Sequence, residues 1–420
     1  MFRINQFIWL PCAMLALATG GAVAESVAEP TLKQVFDSAW QRQPEALSQH
    51  SRAEAAAAQQ ESATRWTAEP VALEWSTTTD RLNQNVGRDE TALGISVALW
   101  LPGERARAGA LAHAQARSAT SRVQAAQLRT AAQVREAYWA WQRTLIEHGL
   151  AAQQLHYAQL LAQDVSKRVR AGDLARADQH LADGGVAAAE VALAEAAGTL
   201  ARAVQQLRAL TGIVPQSANV GTTPTALGRE PVAAIPADPS AWEASHPVLA
   251  ELLDSAEAAQ RAAELTQVQT RANPELRLTT SRERGLLGED YQQSIALGIR
   301  IPLGSDSRNQ ARRATALADA TEALAHLRAE RDRLQGATAA ARTVLQSTQI
   351  LLDASLRRAQ LARESRAFFQ KAFALGEADL PTRLRVEREA MDAERQAARA
   401  GIDLAAAQSA LRQSLGLLPE

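Results

Sequence analysis

The chain has 420 residues, of which 46% are hydrophobic and 22% charged, with 45 basic side chains against 46 acidic ones. A net charge of −1 supplies no basic surface for nucleic acid. A single cysteine excludes a disulfide framework, and 4% aromatic content is low for one compact core of this size, which favours long Ala-rich helices packed side by side.

Residues 1–24 read as a secretory leader: Arg3 is the basic start, Phe7 to Ala18 is mostly apolar, and Ala22-Val23-Ala24 is a small-residue cleavage site. The run is short for a membrane anchor. Cys12 lies inside it rather than after a lipobox, so no lipid anchor is expected and the mature chain carries no thiol. No later stretch has the roughly 18 uninterrupted apolar residues of a membrane helix.

The remainder says the same thing twice. Ala39-Trp40 before Pro44 recurs as Ala241-Trp242 before Pro247, and Leu101-Pro102-Gly103 as Ile301-Pro302-Leu303-Gly304. Gly172 to Gly376, Gly212 to Gly416 and Pro215 to Pro419 each keep a step of 204. Two repeats are expected, at 25–212 and 241–420. Between them lies a Pro-rich linker, 213–240, carrying Pro215, Pro224, Pro231, Pro236 and Pro239. The step is too long for a solenoid unit and reads as duplication of a structural half.

In chain order the first repeat predicts a helix over 31–66, a β-hairpin over 69–101, a long helix over 105–171 and a return helix over 174–211. The second predicts a helix over 240–271, a hairpin over 273–301, a long helix over 306–375 and a return helix over 379–415. Neither long segment contains proline, and at 1.5 Å per residue each spans on the order of 100 Å, too long for a globular domain. Val134, Tyr138, Trp141 and Leu145 step as the seam of a coiled coil does. The two shorter helices of a repeat together match the length of its long one and fit end to end along it.

The hairpins alternate with period two. Val71, Leu73 and Trp75 alternate with Ala72, Glu74 and Ser76, and Ile295, Leu297 and Ile299 with Ala296, Gly298 and Arg300. Strands of this length suit a tilted membrane crossing, with Trp66 and Trp100 as interfacial aromatics and Glu74 and Arg300 toward a wet lumen. A soluble sandwich edge has the same alternation. Four strands cannot close a membrane barrel, and open edges are not tolerated in lipid, so a barrel must be shared between copies: two give eight strands, three give twelve. Only the wider one continues naturally into a ring of helices. The fold class is therefore mainly α with a small β part: a long coiled-coil α-barrel plus two β-hairpins per chain entering a shared twelve-stranded barrel.

Leader, duplicated order and glycine turns together resemble the TolC-type outer-membrane efflux channels over nearly the whole mature chain. The Trp100-Leu101-Pro102-Gly103 junction and the Gly376-Glu377-Ala378-Asp379-Leu380 turn look more like the heavy-metal efflux branch. The resemblance implies a homotrimer whose barrel sits in outer-membrane lipid and whose helices extend into the periplasm. It implies an exit duct joined to a periplasmic adaptor protein and an inner-membrane transporter, with no cofactor and no catalysis. Gly172, Asp173, Gly376 and Glu377 would then form the tip turns that meet the adaptor. Asp178, Asp379, Thr382 and Arg385 are the gate candidates, although Thr382 and Arg385 stand where the family often has acids.

The glycines also suit left-handed helix ends, and Asp173 and Asp379 suit helix starts, so plain capping explains the same residues. The seven histidines show no ligand spacing, so no metal site is expected. Nor is there a Ser/His/Asp set or a phosphate loop, so no enzyme is expected. A duct for protein secretion shares the architecture, and a soluble periplasmic coiled-coil scaffold is the reading from another class.

Overall fold

Two prolines break the helices that open each repeat. The computed structural model describes residues 30–82, 85–215, 230–234, 239–303 and 306–420; the expected leader 1–24, with Cys12, and much of the linker 213–240 lie outside the described residues. The elements in order are α1 (Leu32–Gln41), α2 (Pro44–Thr64), β1 (Ala72–Thr79), β2 (Asp89–Ala98), α3 (Glu104–Ala171), α4 (Arg176–Thr211), α5 (Pro239–Ser245), α6 (Pro247–Val268), β3 (Glu275–Arg284), β4 (Gln292–Arg300), α7 (Asp306–Ala374) and α8 (Leu380–Ser414). The single helices expected over 31–66 and 240–271 are thus each two helices. Pro44 and Pro247 lack the N–H that would continue the preceding helix. The residues before them, Gln43 and His246, are extended at ψ 140° and 118°.

The long helices α3 and α7 have 68 and 69 residues, about 100 Å each. Helices α2 and α4 both pack along α3, α6 and α8 both pack along α7, and α6 also lies against α3, which joins the repeats. The largest core holds the seam residues Val134, Tyr138, Trp141 and Leu145 with Leu32, Val35 and Phe36 of α1, Leu207 of α4 and Ile402 of α8. Burying each large side chain contributes about 1.5–3 kcal/mol. Tyr138 and Trp141 meet edge to face at 5.7 Å, and the Trp139 indole donates to Ser409 Oγ at 2.9 Å, whereas the buried Trp141 Nε1 has no hydrogen-bond partner among the described residues.

The four strands form one antiparallel sheet in the order β1-β2-β3-β4, which leaves β1 and β4 as edges. Where β2 and β3 meet the helices, Glu104 is buried. It accepts from the Leu101 N–H at 3.0 Å, Asn273 Nδ2 at 2.8 Å and Gln269 Nε2 at 2.8 Å, tying the first repeat's junction to the second's.

The described part of the linker is anchored in the core at Glu230, although Val214 and Val232 are exposed. Glu230 is completely buried between two arginines 277 residues apart, Arg135 of α3 and Arg412 of α8. Arg135 reaches it bidentately, Nε to Oε2 at 3.1 Å and Nη2 to Oε1 at 2.6 Å, and Arg412 Nε lies 3.3 Å from Oε1. Arg135 also donates to the Leu417 carbonyl at 3.0 Å, and Arg412 to the Pro231 carbonyl at 3.2 Å. A buried carboxylate needs such partners, and this one pins the linker and the C-terminal tail to α3.

Candidate functional site

The first candidate site is the sheet, whose register sorts its residues onto two faces. Glu74 lies opposite Gly94, Gly94 opposite Thr279, and Thr279 opposite Ala296, so these share one face with Ser76, Ser96, Arg277, Ser281, Ser294 and Arg300. The other face carries Leu73, Trp75, Leu93, Ile95, Leu278, Ile295, Leu297 and Ile299. No described residue covers it: Leu73 is 71% and Ile295 75% exposed. An exposed apolar patch of this extent marks an interaction surface, since isolated soluble proteins keep such patches small.

Four charged residues at the helical end of the polar face form a row, while Glu90 and Glu283 lie opposite each other at its far end. Arg277 donates to Glu275 at 2.8 Å and lies 3.4 Å from Glu74, and Arg300 lies 3.8 Å from Glu275. Glu74 and Arg300, expected at the lumen, thus stand on one face at the two edges of the sheet. Trp66 and Trp100 flank the sheet where it meets the helices. Trp66 is exposed, whereas the Trp100 indole donates to the Arg65 carbonyl at 3.1 Å. Among the described residues no helix is long and apolar enough to cross a membrane.

The second candidate site is the far end of the helices. Gly172 and Gly376 follow α3 and α7 at φ 88° and 78°, the left-handed region that glycine adopts without a β-carbon penalty. The N–H groups of Asp173 and Glu377 close back onto the Arg168 and Ala372 carbonyls at 2.9 Å each. Asp173 therefore belongs to the end of α3 rather than the start of α4. The α4 cap is Ala175, whose N–H donates to Asp178 at 3.0 Å, because Asp178 sits three residues into the helix, where a side chain reaches back. Asp379 does cap α8, and hydrogen bonds from the Thr382 side chain and N–H hold its carboxyl below the usual carboxylate range. Arg385 pairs with Glu389 at 3.1 Å one turn on. Each gate candidate thus has a partner on its own helix.

What links the two tips was not legible from spacing. Arg168 of α3 donates to the Phe373 and Ala374 carbonyls at 2.9 and 3.0 Å, adding a donor to the Phe373 carbonyl, which the Gly376 N–H also reaches at 3.1 Å, at the end of α7. Arg168 and Arg383 both lie 4.7 Å from the Phe373 ring, and Asp164 is 3.9 and 3.7 Å from them. Burial pushes the Arg383 guanidinium below its ordinary value, against Asp164 and Glu387, and raises the Glu387 carboxyl, against Arg366 and Arg383. Above this cluster a cavity of about 680 Å³, lined by Tyr157, Asp164, Gly184, Gly185, Arg383 and Glu387, opens between the helix pairs. Among the described residues no three His, Cys, Asp or Glu side chains converge as a metal site would require.

No protein-family model and no curated protein matches the sequence. Solved structures do. The chain is similar to CusC, described by its conformational changes on folding and transmembrane channel formation, with TM-score 0.76 and 16% identity over 93% of each chain. It is similar to the outer-membrane protein VceC of Vibrio cholerae, with TM-score 0.72 and 18% identity over 93% of this chain and 97% of that one. The CmeC outer-membrane channel of Campylobacter jejuni gives 0.71 and 14% over 98% and 94%. The chain has the TolC-type channel fold. The likeness spans both repeats, so the sheet and the helical tip belong to one architecture, while identity this low carries the fold and not the cargo.

Proposed function

We infer that this chain is the outer-membrane exit duct of a tripartite efflux pump. Three copies would close their sheets into a twelve-stranded barrel over a ring of long helices, and the tip turns at Gly172 and Gly376 would meet a periplasmic adaptor. The observation that carries the reading is the two-faced sheet, apolar and uncovered on one side and polar on the other, with both edges open. In lipid such a sheet is stable only when closed on itself, and the polar face then lines water. Transport energy would come from an inner-membrane transporter; the duct supplies a wet path and a gate opened on docking.

The junction and turn motifs support heavy-metal cations as cargo. Deletion of the gene followed by growth on metal salts and hydrophobic toxicants tests this. Sensitivity to metal salts, restored by the intact gene, is the expected result. Unchanged growth on every compound, with a secreted polypeptide lost from the medium, would replace efflux with protein secretion.

A further inference from the structure

The two open edges of the sheet carry opposite charges with unused hydrogen-bonding capacity, and they face the same side. Within the row the interior pair is the well-made one: Arg277 donates to Glu275 through both Nη2 at 2.8 Å and Nε at 3.2 Å. The end members are held loosely. Glu74 on β1 is half exposed and 3.4 Å from Arg277; Arg300 on β4 is 62% exposed and 3.8 Å from Glu275, beyond hydrogen-bond distance.

With four antiparallel strands, β1 and β4 run in opposite directions, so β4 of one copy can add to β1 of the next without breaking the pattern. Glu74 is the third residue of β1, counted from the helical end, and Arg300 the last of β4, ending there too. In an antiparallel seam that aligns these ends they become diagonal neighbours, a separation that an arginine spans.

We propose that Arg300 of one copy pairs with Glu74 of the next across the closing seam, so that Glu74, Arg277, Glu275 and Arg300 of successive copies form an unbroken ring of alternating charge around the lumen. This rests on the shared-barrel reading above. The partner is a second copy of this chain, chosen by charge complementarity between its own two edges, and the contact is head to tail, the kind that closes a ring. Carboxylates and guanidiniums are equal in number, so the ring carries no net charge.

Within one chain Glu74 and Arg300 are on opposite edges, three strand spacings or roughly 14 Å apart, too far to touch. A double-mutant cycle therefore reports the seam. The full chain, purified in detergent, is heated and the midpoint for loss of the SDS-resistant oligomer recorded for wild type, Glu74→Gln, Arg300→Gln and the double variant. Each single variant is expected to lower the midpoint by a few degrees and the double no further than the worse single. The cycle is repeated with Arg277→Gln, which breaks the row inside the chain; coupling that persists crosses the seam. Additive losses, or coupling that vanishes with Arg277→Gln, overturn the seam while leaving the shared barrel standing. A wild-type protein that forms no oligomer overturns both.

Discussion

Gly416, past the end of α8 at φ 78°, lies against the His246 ring at the break between α5 and α6: a β-carbon there would sit 2.9 Å from His246 Cδ2 and 2.8 Å from Pro247 Cδ. The first repeat does the same 204 residues earlier, where Gly212, at φ 76°, closes on Arg42 at the break between α1 and α2. Duplication has therefore kept a helix end packed against a helix break, besides the order of elements.

These glycines give a ranked prediction. Gly376 has the same φ of 78° but nothing within 4 Å of an added β-carbon. Gly376→Ala is expected to cost about 1–2 kcal/mol for the left-handed backbone alone. Gly416→Ala adds overpacking of about 1–3 kcal/mol, since the Pro247 ring cannot swing aside. Gly212→Ala falls between, because its obstacle is the flexible end of Arg42. Thermal midpoints of the three variants check the order; equal losses would contradict it.

His246 makes stability pH-dependent. Burial pushes its imidazole below the ordinary value of 6.5, with Glu330 opposing and Arg333 reinforcing the shift. Neither ring nitrogen has a hydrogen-bond partner among the described residues, and Trp242 packs edge-on at 5.8 Å. The folded state holds the proton less tightly than the unfolded one. This contribution is thus complete above pH 6.5 and is lost as pH falls from 6.5 through the depressed folded value. His246→Phe should flatten the fall in thermal midpoint below pH 6.5 relative to wild type.

The buried Arg135–Glu230–Arg412 group predicts a large effect from a small change. Glu230→Gln removes the carboxylate shared by two guanidiniums that are 5% and 4% exposed, leaving Arg412 only the exposed Glu420 carboxylate at 2.8 Å among the described residues, and the expected loss is about 3–5 kcal/mol, read from denaturant unfolding. Arg208, which precedes Arg412 by the repeat step of 204, is exposed, so Arg208→Gln should change stability little. A loss for Arg208→Gln equal to that for Glu230→Gln would contradict the account.

That contrast also marks what sequence could reveal. The strands were legible because period-two alternation survives in Ile295 to Ile301. The turns were legible because Gly172 and Gly376 end proline-free helices, where a left-handed residue is needed. The breaks at Pro44 and Pro247 were missed because Ala-rich helical composition continues on both sides of each. Glu230 was illegible because its partners lie 95 and 182 residues away and nothing local distinguishes it from a surface carboxylate. The Arg168 contact to Phe373 crosses 205 residues in the same way. Side chains that join the repeats answer to packing, which periodicity does not encode.

The two sheet faces predict opposite tolerance to charge. Leu297→Arg places a cation on the apolar face and is expected to cost about 2–4 kcal/mol near the bilayer midplane, with a several-fold drop in protein recovered from the outer membrane. Ser294→Arg, on the polar face, should leave recovery unchanged. Equal recovery of both variants would contradict the facing.

The central claim is that this sheet walls a water-filled barrel in lipid, and a cysteine scan along β4 tests it most directly. The one native cysteine, Cys12, falls in the expected leader, so each introduced thiol is the only one in the mature chain. Single cysteines at positions 294–299 are labelled in intact outer membranes with a small membrane-impermeant maleimide. Labelling at 294, 296 and 298 but not at 295, 297 and 299 is the predicted result. Uniform labelling, or labelling on the leucine and isoleucine positions alone, would contradict it.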